Sequence, residues 1–166
     1  ILPASVLEKA SEALLNFDNT GLSVAEVSHR SAQFVKVIER ARALALELAG
    51  LDNSYEALYL QGGASMQFLM VPYNLLENKA AYIDTGTWAN KAQKEAALFG
   101  EVQVIASSKE QGYKSIPKNV VVPTDIDYLH ITTNNTIYGS EFHSIPKSGA
   151  PIVADMSSDI FSRSLD

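Results

Sequence analysis

The sequence has 166 residues, of which 46% are hydrophobic and 19% charged, and its 13 basic and 19 acidic residues give a formal net charge of -6. That length suits one domain with a sizeable core, and such thin charging excludes a disordered tail. An acidic chain without a basic stripe lacks what displaces counterions from phosphates, which argues against nucleic acid.

Cysteine is absent, which removes disulfides, thiolate zinc sites and thiol catalysis and fits a reducing, cytoplasmic compartment. Apolar stretches such as Gln67 to Leu76 fall far short of the roughly 20 residues that cross a bilayer, so no membrane association is expected. Ile1-Leu2-Pro3 carries neither a basic leader nor an initiator Met, and something upstream is expected to be missing.

In chain order, Pro3 suits a first helical turn, and Val6, Leu7, Ala10 and Leu14 recur at helical spacing. Asn16 to Ser23 reads as a polar turn. Phe34, Ile38, Ala41, Ala45 and Leu48 line one face of the clearest helix, with Gly50 placed to cap it. Ala57-Leu58-Tyr59-Leu60 reads as a buried strand that ends in Gln61-Gly62-Gly63-Ala64-Ser65. A helix opens at Met66, and Pro72 is expected to bend or end it. Ala81 to Ile83 reads as a strand, Trp88 to Phe99 as a helix closed by Gly100, and Val102 to Ile105 as a strand. After a polar connection over 107–126 come a strand at Tyr128 to Thr132, a turn at Asn134 to Thr136, and a strand at Pro151 to Ala154 that ends in Asp155. Short buried strands between helices and long crossovers indicate an α/β fold, a three-layer, mostly parallel sheet flanked by helices.

Ligands of open parallel sheets sit at the carboxyl ends of the strands. The segments there are 61–65, 84–88, 133–136 and 155–158. Gly62-Gly63-Ala64-Ser65 would let backbone N–H groups at a helix start cradle a phosphate, and it equally suits a tight turn. Trp88, the single tryptophan, could stack on a planar ring or fill a core. Asp155 would be half-buried, facing a cation such as a protonated pyridine nitrogen or serving as a turn aspartate. Thr136 offers a hydroxyl, and Arg30, in Ser28-His29-Arg30, could grip a carboxylate. His130 and His143 show no metal-ligand spacing and read as structural. A phosphate cradle, a stacking ring, a hydroxyl and an acid at one sheet edge are the parts of a pyridoxal phosphate site.

The same segments carry a family resemblance. Glu26-Val27-Ser28-His29-Arg30, Leu60 to Ser65 with Gln67-Phe68, Thr85-Gly86-Thr87-Trp88, Asn134 to Gly139, and Ala154-Asp155-Met156-Ser157-Ser158-Asp159-Ile160 stand in family order, with Ser162-Arg163 close behind. The chain resembles the phosphoserine aminotransferases, class V members of the fold-type I pyridoxal phosphate enzymes. The resemblance implies that Ala64 and Ser65 meet the cofactor phosphate, Trp88 stacks on its ring, Thr136 bonds its ring oxygen and Asp155 pairs with its ring nitrogen. It implies that Arg30 and His29 bind the anionic substrate. The implied reaction moves an amino group between glutamate and 3-phosphohydroxypyruvate, giving phosphoserine for serine biosynthesis, in a cytoplasmic homodimer.

The family's Schiff-base lysine is expected beyond Ser162-Arg163-Ser164-Leu165-Asp166, because no lysine of this chain stands in the family's lysine motif. Residues 1–166 are then expected to be part of the large, cofactor-binding domain, with 1–30 as its N-terminal segment and the small C-terminal domain absent. Such a piece would not transaminate alone. It would expose a sheet edge and apolar surface and associate with itself or with its missing half. The alternatives are another class V enzyme, one like the cysteine desulfurases, or a non-catalytic nucleotide-binding module using the diglycine turn, with Asp84 near the spacing of a ribose-binding acid.

Overall fold

A computed structural model describes residues 2–163; Ile1 and residues 164–166, which hold the end of the Ser162-Arg163 segment, lie outside the described residues. The chain divides into two units between Tyr59 and Leu60.

The first unit opens with α1 (Ala4–Leu15), for which Pro3 is the N-cap residue at φ -57°. The polar turn that follows contains a single 3-10 turn, Phe17–Asn19, which buries the Phe17 ring. Helix α2 (Ala32–Leu48) begins where the Ser31 hydroxyl accepts the Phe34 N–H at 3.2 Å. It ends at Gly50, whose φ of 67° lets the Leu51 and Gly50 N–H groups turn back to the Leu46 and Glu47 carbonyls.

The second unit contains α3 (Gly63–Leu75), β1 (Lys79–Asp84), α4 (Thr87–Ala96), β2 (Glu101–Ser107), β3 (Tyr128–Thr132), β4 (Asn134–Asn135), β5 (Ser140–Glu141) and β6 (Ile152–Asp155). Four strands form a parallel sheet in the order β2-β1-β3-β6, and β4 and β5 form a small antiparallel pair. The central strands β1 and β3 are buried on both faces, which explains their near-continuous apolar sequences. On one face Ala80, Tyr82 and Tyr128 pack against Phe68 of α3 and Ala92 and Ala96 of α4. On the other, Ala81, Ile83, Leu129 and Ile131 meet Phe142, with Ile116, Val120, Val122 and Ile126 of the long connection packed over them. The expected polar connection thus covers a sheet face: Ile116, Val120, Val122 and Ile126 follow no period yet turn inward, while Val121 is exposed. At the amino end of the sheet, one Asp127 carboxylate oxygen accepts the N–H groups of Glu77, Asn78 and Lys79 at 2.9, 2.6 and 3.0 Å.

One local expectation is corrected and another is narrowed. Ala57 to Leu60 forms no strand, and Leu58, Tyr59 and Leu60 are exposed. The run has strand composition, but it has no ladder partner in the sheet, and the Tyr59 hydroxyl bonds instead to the Ala41 carbonyl at 3.2 Å. Pro72 does not end α3, which continues to Leu75. The one hydrogen bond a proline removes is offset by burial of its ring beside Phe68.

Candidate functional site

The site forms where α3, α4, β3, β4 and β6 present their ends at the carboxyl edge of the sheet. Gly62, at φ 96° and ψ -5°, turns the chain into α3 in the left-handed region. A Cβ there would overlap Cβ of Met66, so this turn admits only glycine. The first N–H groups of α3, at Gly63, Ala64 and Ser65, precede any intrahelical partner and leave a positive helix end facing outward.

Across from this helix start, β1 leads through Asp84, Thr85 and Gly86 into α4. A Cβ on Gly86 would lie 2.7 Å from Asn135 Oδ1 and 3.1 Å from Tyr138 Cδ2, so the missing side chain lets α4 begin against the β4–β5 hairpin. That approach carries Trp88 to Thr136, whose hydroxyl lies 3.3 Å from the indole nitrogen. Asn135 is buried, and its amide holds the hairpin closed through the Ser140 carbonyl and hydroxyl at 3.2 and 3.1 Å.

Asp155 ends β6 in register with Thr132 of β3. It is half-buried, and its Oδ1 accepts the Ser157 hydroxyl at 2.5 Å and the Ser157 N–H at 3.2 Å. The Asn134 amide donates to the Ser158 hydroxyl at 2.9 Å, which ties the hairpin to the loop after β6.

One cavity of about 360 Å³ is lined by Ala64, Ser65, Trp88, Thr136 and Asp155 together, with Phe68 and Thr132 at its inner wall. The structure therefore brings together the five residues singled out for a cofactor. His29 and Arg30 belong to the first unit, where both are exposed just before the Ser31 cap. Sequence reasoning missed Ser157, whose spacing two residues after Asp155 is that of an Asx turn. It also missed Lys91, three residues after Trp88 on α4, whose ammonium lies 3.5 Å from the Ser65 hydroxyl at the helix start.

Asp84 is not part of this cavity. It is buried, and its Oδ2 accepts from Ser107 at 3.0 Å and from the Tyr113 hydroxyl at 3.1 Å. Burial, followed by the adjacent carboxylate, pushes the Tyr113 phenol up to about 12. The acid that a nucleotide-binding reading needs is thus committed elsewhere.

The donor set fits pyridoxal phosphate: a positive helix end for a phosphate, an indole face for a ring, a hydroxyl, and a half-buried carboxylate for a cationic nitrogen. The cavity has no lysine in its lining among the described residues.

Similarity to known proteins agrees. The model of the class V aminotransferases matches residues 1–166. The phosphoserine aminotransferase of Flavobacterium psychrophilum is 59% identical over 169 residues, covering 100% of this chain and 48% of that protein. That of Phocaeicola vulgatus is 54% identical, covering 100% and 47%. Among solved structures, a phosphoserine aminotransferase from Bacillus circulans subsp. alkalophilus superposes with a TM-score of 0.95 at 43% identity, over 100% of this chain and 47% of that one. A pyridoxal phosphate-bound phosphoserine aminotransferase from Trichomonas vaginalis superposes at 0.89 with 30% identity, over 100% and 48%. The chain spans about half the length of the curated relatives it matches. Its sheet, flanked by helices, is the fold of these structures, and the chain belongs to the class V aminotransferase family.

Proposed function

We propose that this chain forms the cofactor-facing part of the large domain of a phosphoserine aminotransferase, which moves an amino group between glutamate and 3-phosphohydroxypyruvate in serine biosynthesis. The protein is a cytoplasmic homodimer in this reading, and the lysine that bonds the cofactor lies outside residues 1–166. The supporting observation is the single cavity in which a helix start, Trp88, Thr136 and Asp155 meet. The similarity to phosphoserine aminotransferases over the whole chain supports this reaction within the family.

Pyridoxal phosphate supplies an electron sink when bound. The Ala64 and Ser65 N–H groups would hold its phosphate at the positive end of α3, and the Lys91 ammonium adds charge beside Ser65. The indole of Trp88 would cover one ring face and Thr136 would bond the ring oxygen. The Asp155 carboxylate would keep the ring nitrogen protonated, oriented by the two bonds that Ser157 donates to it. Arg30 and His29 would bind the anionic substrate.

The test is the full-length protein, assayed with glutamate and 3-phosphohydroxypyruvate and titrated with pyridoxal phosphate. Tight cofactor binding and production of phosphoserine are expected. Tight binding with transfer only to other oxo acids would contradict the substrate assignment. No binding would contradict the site.

A further inference from the structure

Beyond the proposed cofactor cavity, the loop after β6 reaches back to the base of the β4–β5 hairpin. The Asp159 and Ile160 N–H groups both donate to the Met156 carbonyl, at 3.2 and 3.0 Å, which closes one helical turn. Phe161 follows at φ 60°, a left-handed conformation that bulky residues rarely adopt and that persists only where the surroundings determine it. Asp159 and Arg163 stand four residues apart across this bend.

Thr133 joins β3 to β4 and is fully buried. Its N–H donates to the Asp155 carbonyl at 3.1 Å, and its carbonyl accepts the Phe142 N–H at 2.8 Å. Its hydroxyl lies 2.6 Å from Asp159 Oδ1 and 3.1 Å from the Asp155 carbonyl. One hydroxyl carries one proton, and the shorter distance marks the carboxylate as its acceptor. Arg163 closes the other side. Its Nη2 donates to the Phe142 carbonyl at 2.7 Å, and its Nη1 lies 3.2 Å from Glu141 Oε1. Nη2 is also 3.9 Å from Asp159 Oδ2, near enough to balance charge and too far for a hydrogen bond; that oxygen is buried with no hydrogen-bond partner. A buried carboxylate is costly unless a cation meets it. Arg163 is the only cation in ion-pair range of Asp159 among the described residues, so it lets Asp159 keep its hold on Thr133.

Neither Asp159 nor Arg163 lines the cofactor cavity, but the segments they join do, through Thr136, Asp155, Ser157 and Ser158. The hairpin that carries Thr136 pairs only Asn134 with Glu141 and Asn135 with Ser140, and so short a ladder needs support from outside. We infer that Asp159 and Arg163 are positioning residues for Thr136: together they clasp the base of its hairpin to the loop after β6, so that the Thr136 hydroxyl and the Asp155 carboxylate face one cofactor ring. The inference rests on the cofactor site proposed above. Neither residue touches the cofactor or moves a proton.

The experiment uses the full-length protein with Arg163→Met, Arg163→Lys and Asp159→Asn, with the pair Arg163→Met and Asp159→Asn, and with Arg163→Met in a Thr136→Val background. It reads the pyridoxal phosphate dissociation constant, the melting temperature, and the induced circular dichroism of the bound cofactor at saturation, which reports a ring held in one orientation. Arg163→Met is expected to weaken binding roughly tenfold, the scale of one charge-assisted hydrogen bond, and to reduce the induced signal even at saturation. Arg163→Lys is expected to recover part of both, because an ammonium restores the charge without the fork. The pair is expected to lose no more than Arg163→Met alone, and the Arg163→Met effect is expected to shrink in the Thr136→Val background. A lower melting temperature with unchanged affinity and induced signal would overturn the inference, as would additive losses in the pair or an equal Arg163→Met loss in both backgrounds. Should Thr136→Val weaken binding while Arg163→Met does not, only the clasp fails. Should neither of these nor Asp155→Asn alter binding, the cofactor site fails with it.

Discussion

The indole N–H of Trp88 points to the hydroxyl of Thr136 at 3.3 Å, although 48 residues separate them. One sits in the first turn of α4 and the other in the hairpin after β3, so this contact joins the loops of two adjacent strands. Replacing Thr136 by Val removes the acceptor and leaves the indole free to tilt. A neutral hydrogen bond contributes about 0.5–1.5 kcal/mol, so cofactor affinity should fall roughly two- to tenfold. Thr136→Ser should retain it. Dissociation constants from quenching of Trp88 fluorescence check this; equal affinity for Val and Ser would contradict it.

Gly86 is the hinge of that contact. A methyl group there would sit 2.7 Å from Asn135 Oδ1, and Asn135 cannot retreat because its amide is bound to Ser140. Gly86→Ala should therefore cost about 1–3 kcal/mol of stability, as overpacking does, and loosen cofactor binding by moving Trp88. Urea unfolding together with cofactor titration measures both. Unchanged stability would mean that the hairpin can shift freely.

His130 makes stability depend on pH. Its ordinary value is 6.5, and burial lowers it to about 4 while Asp155 pulls it upward. Between these values the unfolded chain binds a proton that the folded chain refuses. The stability associated with this residue is thus intact above about pH 6.5 and falls as the pH drops toward 4. His130→Phe should lose less stability between pH 7 and pH 5 than the unsubstituted protein. An identical loss would show that the imidazole is protonated in the fold.

Much of the sheet was legible in the sequence because β1 and β3 are buried on both faces, and runs such as Ala81-Tyr82-Ile83 are continuously apolar. Ala57 to Leu60 misled for the same reason: an apolar run states composition, whereas a strand also needs a neighbour. The connection over 107–126 hid its role because Val120, Val122 and Ile126 follow no period while packing on the sheet. At the site, Trp88 and Asp155 stood out as a lone aromatic and an acid at strand ends. Asp84 has the same position at the end of β1, but it turns to Ser107 and Tyr113, a partnership set by distant residues. β6 is bonded to β3 on one side only among the described residues, and its Ile152 is 38% exposed.

Asp127 clamps the opposite end of the sheet. The N–H of Asn78, then those of Glu77 and Lys79, hold its carboxyl below the ordinary 3.8 against partial desolvation. Its stabilising effect is present above pH 3.8 and disappears as the pH falls through the lowered value. Asp127→Asn should lower the melting temperature at pH 7, with the gap from the unsubstituted protein closing in acid. A gap that stays constant across that range would rule out the carboxylate charge as its source.

The protonation of a bound cofactor's ring nitrogen reports most directly on whether Asp155 faces it. With ¹⁵N-labelled pyridoxal phosphate bound to the full-length protein, the nitrogen shift should be that of a protonated pyridine, and Asp155→Ala should move it to the unprotonated value. The same shift in both proteins would contradict the placement of Asp155 against the cofactor.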